Sequence, residues 1–140
     1  MNKSQNKNRQ IATILGFLQV FIGLGAVGGG LGLIWDPTGA KFGMPLEMLK
    51  YSPFSDFLIP GIILLMVNGV GSLIGSLHSF KLKQYASDIA IALGVFLVAW
   101  IVIQIYWIHS FHWLHALYLS LGTLEFALGL SLRKVLRNSK

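Results

Sequence analysis

The sequence predicts an all-α integral membrane protein, an up-down four-helix bundle with a short interfacial helix in its first outer loop. Three observations predict it. Hydrophobic residues make up 54% of the 140 positions and charged residues 11%, far from the balance of soluble domains. The apolar residues gather into four runs, Ile11 to Trp35, Phe57 to Leu77, Ile89 to Ile108 and Trp113 to Leu132. Each is close to the ~20 residues a helix needs to cross ~30 Å of hydrocarbon. Basic residues, finally, cluster at one end of the resulting arrangement. A membrane β-barrel would need alternating polarity over many shorter segments. The whole chain, residues 1–140, reads as one membrane domain.

The first run follows Lys3, Lys7 and Arg9. Its basic start and apolar stretch resemble a secretory signal, but its length and the want of a small-x-small cleavage pattern make it a retained span. Gly23-x-Gly25-x-x-Gly28 spells a dinucleotide fingerprint, yet no strand precedes it and it lies inside an apolar helix, so the mechanism behind that motif is missing. Trp35-Asp36-Pro37-Thr38-Gly39 ends the helix with an interfacial Trp and strong turn formers. In the connection that follows, Pro45 can begin a short helix that keeps Leu46, Met48 and Leu49 apolar and ends at Ser52-Pro53, lying in the membrane interface. Ser55 offers an N-cap for the second span, and Asp56 suits the positive end of its dipole. Pro60 falls in the first turns, where it costs least.

Between the second and third spans the connection from Ser79 to Asp88 is short and carries Lys81 and Lys83. The turn before the fourth span is shorter still. Tyr106, Trp107, Trp113 and Trp35 form an aromatic belt at that boundary. Arg133, Lys134, Arg137 and Lys140 follow the fourth run, whereas only Lys41 and Lys50 fall in the other compartment. By the positive-inside rule both termini are cytoplasmic and the protein is a multi-pass component of the cell membrane. This also explains the net charge of +6, which removes the case for nucleic acid because no aromatic-interleaved basic face exists. With no cysteine, disulfide exchange, thiolate metal sites and thioether haem attachment are excluded.

Helical spacing puts one stripe of small and polar residues on each span. Gly16, Gln19, Gly23, Ala26 and Gly30 share a face of the first; Gly61, Asn68, Ser72, Gly75 and Ser79 of the second; Trp100, Gln104 and Trp107 of the third; His115, Tyr118, Gly122, Glu125 and Gly129 of the fourth. Such stripes suit helix interfaces, where small residues admit close backbones and polar groups bond across. Counted from the ends of the apolar runs at about 1.5 Å per residue, Gln19, Asn68 and Glu125 reach a common layer roughly 10 to 14 Å above the cytoplasmic boundary. Gln104, Tyr118 and His115 make a second layer nearer the outside. A carboxylate at the depth of Glu125 costs roughly 3 kcal/mol on insertion scales unless paired, protonated or wet. The ligand or proton site expected from the sequence therefore comprises Glu125, Asn68, Gln19, Ser72, Gln104, Tyr118 and His115. A metal, haem or quinone site could instead use His109, His112 and His115, three imidazoles at three-residue intervals.

The segments Trp35-Asp36-Pro37-Thr38-Gly39, Met44-Pro45-Leu46 and Ser52-Pro53-Phe54-Ser55-Asp56-Phe57-Leu58-Ile59-Pro60-Gly61, with Asn68-Gly69-x-Gly71-Ser72 and Trp100-Ile101-x-Ile103-Gln104, resemble a pattern in small bacterial four-span membrane proteins that have no assigned activity. In architecture the chain is also similar to DoxX-like four-span proteins, a likeness that implies a membrane oxidoreductase subunit and transfers no residue role. Three function classes follow. The first is a non-enzymatic bundle that binds a small ligand or moves a proton or small solute past Glu125. The second is an accessory subunit of a larger membrane complex, or a homo-oligomer, completed by a partner within the bilayer. The third is a redox subunit using the outer histidines. No cofactor is required by the sequence, and no nucleophile with an oriented base suggests hydrolysis.

Overall fold

A computed structural model describes residues 2–139. Among them the regular structure is helical, and four helices are long and apolar enough to cross a membrane: α1 (Lys3–Trp35), α2 (Leu58–Phe80), α3 (Ala86–Ile108) and α4 (Trp113–Asn138). Their boundaries at Trp35, Ile108 and Trp113 coincide with the ends of the apolar runs. Elsewhere the helices continue into polar sequence, because backbone hydrogen bonding does not stop where hydrophobicity does. At the start of α1, Asn2 Oδ1 accepts the Gln5 amide N–H at 2.9 Å and the Gln5 side chain returns to the Asn2 N–H, a capping box that satisfies two otherwise orphaned donors.

The middle of α2 departs from α geometry. Leu64–Val70 is a seven-residue π-helical stretch, a wider turn that the apolar pattern does not predict. It lets the adjacent residues Asn68 and Gly69 both face inward and be buried. Pro60 is also buried, one turn into the helix as expected. Ser55, expected as the N-cap, does not cap it. The Leu58 N–H is instead accepted by Asp56 Oδ1 at 2.9 Å, since a carboxylate two residues back reaches the first free donor directly.

The helices pack mainly as two pairs, α1 with α2 and α3 with α4, joined through α1–α4 and α2–α3 contacts. Glycine sets both intimate crossings. A Cβ on Gly30 would stand 2.8 Å from the Leu65 backbone nitrogen and 2.9 Å from Gly61 O; one on Gly94 would stand 2.7 Å from Phe126 N and 2.9 Å from Gly122 O. Close backbone approach of this kind is the usual source of helix affinity where the solvent is itself apolar. Large side chains point outward: Phe17, Phe21 and Leu24 on α1 are 66%, 58% and 62% exposed, while Gln19 and Glu125 between the helices are 0% exposed. This inside-out polarity is what a hydrocarbon solvent selects.

Three apolar clusters are stacked along the molecule. Ala12, Leu15, Ala86, Ala90 and Leu132 fill the end that carries the termini; Ile22, Leu97, Trp100 and Ile101 fill the middle; Leu33, Leu49 and Phe57 lie under the long connection at the opposite end. That connection contains two short 3₁₀ turns, Ala40–Phe42 and Leu46–Leu49. The second has Pro45 as its N-cap and is a single four-residue turn, shorter than the helix from Pro45 to Ser52 expected from the sequence. The first turn is preceded by a local network at Asp36. Oδ1 of Asp36 accepts the Thr38 hydroxyl at 2.6 Å and the Thr38 N–H at 3.2 Å, while Oδ2 accepts the Lys41 N–H at 3.2 Å. Gly39 closes the turn at φ +75°, where a Cβ would strike Met44 O and the Phe57 ring, a conformation costly for other residues.

The hydrogen bond from Thr38, followed by the Lys41 and Thr38 amides and the Lys41 charge, holds the Asp36 carboxyl below its ordinary value against the opposing effect of desolvation. A carboxyl depressed in the folded state contributes stability that is complete above the unfolded pKa and disappears as pH falls through the folded one. Acidification below the normal carboxylate range is therefore expected to loosen residues 36–41 first. Amide hydrogen exchange across this turn at falling pH, corrected for the intrinsic rate, checks it; protection unchanged down to full protonation would dissociate the turn from Asp36.

Candidate functional site

The structure divides the expected polar residues between two places. Near the terminal end, Gln19 Nε2 donates to Glu125 Oε1 at 3.2 Å, and Ser79 Oγ donates to Gln19 Oε1 at 2.7 Å. Gln19 thus bridges α2 and α4 from its position on α1. Gly75 makes room for it, since a Cβ there would lie 2.9 Å from Gln19 Nε2. Glu125 Oε2 has no partner. Arg133, the nearest cation to Glu125 in the sequence, is engaged elsewhere: its guanidinium pairs with Asp88 across α3 and α4. Both members of that pair are about half exposed, so it holds little stability.

Asn68 does not join Gln19 and Glu125 in one layer, as counting from the apolar run ends suggests. Helix register, not run ends, sets relative depth, and α1 meets α2 through Gly16 against Phe80, Gly23 against Leu73 and Gly30 against Leu65. Gln19 is consequently level with Ser76 and Leu77, its side chain reaching Ser79, and Asn68 lies roughly 13 Å away along α2 at a helical rise of about 1.5 Å. It sits near the middle of α2, at the edge of the half away from the termini. Ser72 lies between, buried and with its hydroxyl unpartnered.

In that other half a cavity of about 350 Å³ opens among all four helices beneath the long connection. Asn68, Gln104, His115 and Tyr118 line it, together with Trp100 and Trp107. The rest of the wall is aliphatic and aromatic, including Ile22, Leu64 and Leu97, and the connection closes it with Phe42, Met44, Leu49, Phe54 and Phe57. Two aromatic contacts hold this cover down. The Phe54 ring meets Trp107 edge-on at 5.6 Å between centroids, and Tyr51 lies 4.3 Å from the His109 ring. Small residues on α1, Gly25, Ala26 and Gly29, leave the space open on one side.

The polar groups of the cavity are not self-satisfied. Asn68 is 1% exposed and Trp100 8% exposed, yet Asn68 Nδ2 and Trp100 Nε1 both lack a hydrogen-bond acceptor. Buried N–H groups without partners are rare in folded proteins, because each forfeits its water without compensation. Histidine adds a third donor. His115 Nδ1 accepts the His112 N–H at 3.0 Å, so the neutral ring carries its hydrogen on Nε2.

The same bonds explain why His109, His112 and His115 form no metal centre. Their three-residue spacing would align them only on an unbroken helix. The chain breaks there: His109 ends α3 in the left-handed conformation at φ +56°, and His112 is the N-cap of α4 with His115 completing its capping box. Among the described residues no three His, Cys, Asp or Glu side chains converge on a common point.

Two features of the site escape the sequence. Trp100 reads there as one member of a face with Gln104 and Trp107, although a tryptophan in mid-span, remote from the interfacial belt, already poses the question of what its N–H donates to. Trp107 reads as a belt residue but is half-buried in the cavity wall, whereas Trp35, Tyr106 and Trp113 are 80%, 74% and 65% exposed. Asn8 is a smaller omission: it is buried and donates to Ser139 Oγ at 3.0 Å, joining the two ends of the chain. Comparison of the chain with protein-family models, curated proteins and solved structures returns no match in any of the three.

Proposed function

We propose that this chain is a multi-pass protein of the cell membrane that binds a small apolar or amphipathic molecule in the cavity under its long connection, without catalysis. The observation that carries this reading is the cavity itself: about 350 Å³ of space walled mainly by apolar side chains, with unpartnered buried donors at Asn68 and Trp100. Ligand sites commonly combine an apolar lining with a few placed polar groups in this size range. At about 30 Å³ per water-sized group the space holds roughly a dozen non-hydrogen atoms.

In this reading the helices run up and down through the bilayer as a bundle, with both termini and Lys81–Lys83 in the cytoplasm. The Leu46–Leu49 turn lies at the outer interface, and the cavity faces the outer leaflet. The Gln19–Ser79–Glu125 cluster then closes the bundle on the cytoplasmic side of the ligand. The resemblance to small bacterial four-span proteins, and the architectural one to DoxX-like proteins, fits this topology and adds no residue role.

Native mass spectrometry of protein released from its own membrane tests the reading. A bound small molecule is expected on the natural chain and not on Ala26→Phe, which fills the cavity from α1. A chain that carries nothing, and whose thermal unfolding does not respond to any apolar probe of matching size, would refute it. A second reading has one observation in its favour. Only 17% of the most apolar stretch of α4 is buried, against 33 to 39% for the other three helices, so a partner helix on α4 would make the chain an accessory subunit. Consistent co-purification with another membrane protein distinguishes that case.

A further inference from the structure

The outward face of α4 ends in a groove remote from the cavity. Ser120, Thr123, Ala127, Leu130, Lys134 and Arg137 follow one another at intervals of three and four residues, so they share a stripe, and all are exposed. The hydroxyls on it are turned back to the helix: Ser120 Oγ donates to Ala116 O at 2.8 Å and Thr123 Oγ1 to Leu119 O at 2.7 Å. Up to Leu130 the stripe therefore offers a neighbour a shallow apolar track. Past Leu130 its character changes. Leu130, Arg133, Lys134, Arg137 and Asn138 line an open groove of about 440 Å³, at the level of Leu132, where the apolar run stops.

The groove carries positive charge that the protein does not balance. Of the acidic side chains, Asp36, Glu47 and Asp56 lie in the long connection at the opposite end, Glu125 is enclosed in the bundle, and Asp88 is taken by Arg133. Lys134 and Arg137 are left over. Arg133 gives Nε, at 3.2 Å, and Nη2 to Asp88 Oδ1, which orients its guanidinium and leaves the Nη1 hydrogens for another acceptor. Asn138 adds an amide. The positive-inside bias accounts for basic residues at this end as a whole. It does not account for their convergence with an amide on one groove that has an aliphatic side.

We propose that this groove binds an anionic phospholipid, its phosphate against Arg133, Lys134 and Arg137 and an acyl chain running past Leu130 along Ala127 and Thr123. Each half of the guest matches what it meets. Phosphate oxygens accept from guanidinium and ammonium groups and balance their charge, while the chain covers the helix whose most apolar stretch is the least buried of the four. A soluble anion would use the cations and leave the apolar track bare. Such a site requires only that the helices cross a bilayer, and it does not depend on the cavity.

The test places the full chain in nanodiscs of phosphatidylcholine with a minor fraction of phosphatidylglycerol of the same acyl chains, and counts bound lipid by native mass spectrometry. Phosphatidylglycerol is expected to bind about 25-fold tighter than phosphatidylcholine, which is about five-fold for each unbalanced cation. Lys134→Gln and Arg137→Gln should each remove about five-fold, and together the whole preference. Both side chains are exposed and the Arg133 pair with Asp88 stays intact, so the fold is kept. Lys81→Gln with Lys83→Gln takes the same charge from the same end of the molecule and should leave the preference unchanged. Equal affinity for the two lipids, or equal loss from the two pairs of substitutions, would overturn the groove as a lipid site. Excess inorganic phosphate should displace no more lipid than chloride at equal ionic strength; greater displacement would make the groove a soluble-anion site. A protein partner retained in place of lipid, and lost with Lys134→Gln and Arg137→Gln, would make it a protein interface. A chain that alkaline carbonate strips from vesicles would refute instead the membrane crossing on which the site rests.

Discussion

Gly94→Leu is expected to separate α3 from α4 and to destabilise the protein by about 3 kcal/mol or more, at or beyond the upper end of what overpacking usually costs. The reason lies in what the new side chain meets. Even the Cβ alone would stand within 2.9 Å of Phe126 N, Phe126 Cα and Gly122 O. These are backbone atoms of a helix that cannot yield locally, so the whole interface must open. The damage does not stay at the crossing. Glu125 lies on the turn of α4 between Gly122 and Phe126, and moving that turn draws it away from Gln19, leaving Gln19 Nε2 and Glu125 Oε1 unpaired in addition to Oε2. Gly94→Ala should show the same effect in smaller measure. Gly28→Ala provides the contrast, because nothing lies within 4 Å of a Cβ built there, and its stability should remain within about 0.5 kcal/mol of the natural chain. Unfolding in mixed detergent micelles measures all three. A Gly94→Leu protein as stable as the natural one would mean that the α3–α4 crossing is not set by backbone contact.

The contrast between Gly94 and Gly28 also shows what was legible in the chain and what was not. Hydrophobic runs revealed four helices because a long apolar stretch has few other uses, and Trp35, Ile108 and Trp113 mark helix ends in the sequence and the structure alike. The inward faces of α1, α2 and α4 are equally readable: Gln19, Asn68, Ser72 and Glu125 are all buried, as small-and-polar spacing requires when the solvent is apolar. Register was not readable. Whether Asn68 sits beside Gln19 or roughly 13 Å beyond it depends on which glycine meets which neighbour, a matter of three-dimensional fit that helical periodicity does not encode. The cavity was hidden for the same reason. Its walls come from all four helices, and its cover comes from Phe42, Met44, Leu49, Phe54 and Phe57 in a connection whose sequence reads only as turns and a short amphipathic helix. The π stretch at Leu64–Val70 has no apolar signature at all, although it decides that Asn68 and Gly69 can both point inward. Three histidines at equal intervals looked like ligands because spacing was visible and the helix break between them was not.

Glu125 and Gln19 are expected to behave as one unit, and a double-mutant cycle between them should show it. Glu125→Ala removes the acceptor of Gln19 Nε2 and opens a void on α4, for an expected loss of about 3 kcal/mol combining an unsatisfied buried donor with lost packing. Gln19→Ala leaves both Glu125 and Ser79 without a partner, because Gln19 accepts from Ser79 at 2.7 Å while donating to Glu125 at 3.2 Å. Its cost should be comparable. Together the two substitutions should cost less than the sum of each alone by about 0.5 to 2 kcal/mol, the range expected for interhelical hydrogen bonds and contacting residues in membrane bundles. Additive losses would show that the two side chains are buried side by side without mutual stabilisation. Glu125→Gln separates structure from ionisation. An amide oxygen can accept from Gln19 as a carboxyl oxygen does, and Oε2 has no partner to lose, so stability should change by no more than about 1 kcal/mol. Ligand occupancy in the cavity should not change either, because Glu125 is not among its lining residues. If Glu125→Gln instead folds normally and abolishes binding, the carboxyl acts on the ligand or on a proton that accompanies it, and the functional centre moves from the Asn68–Trp100 wall to the floor beneath it.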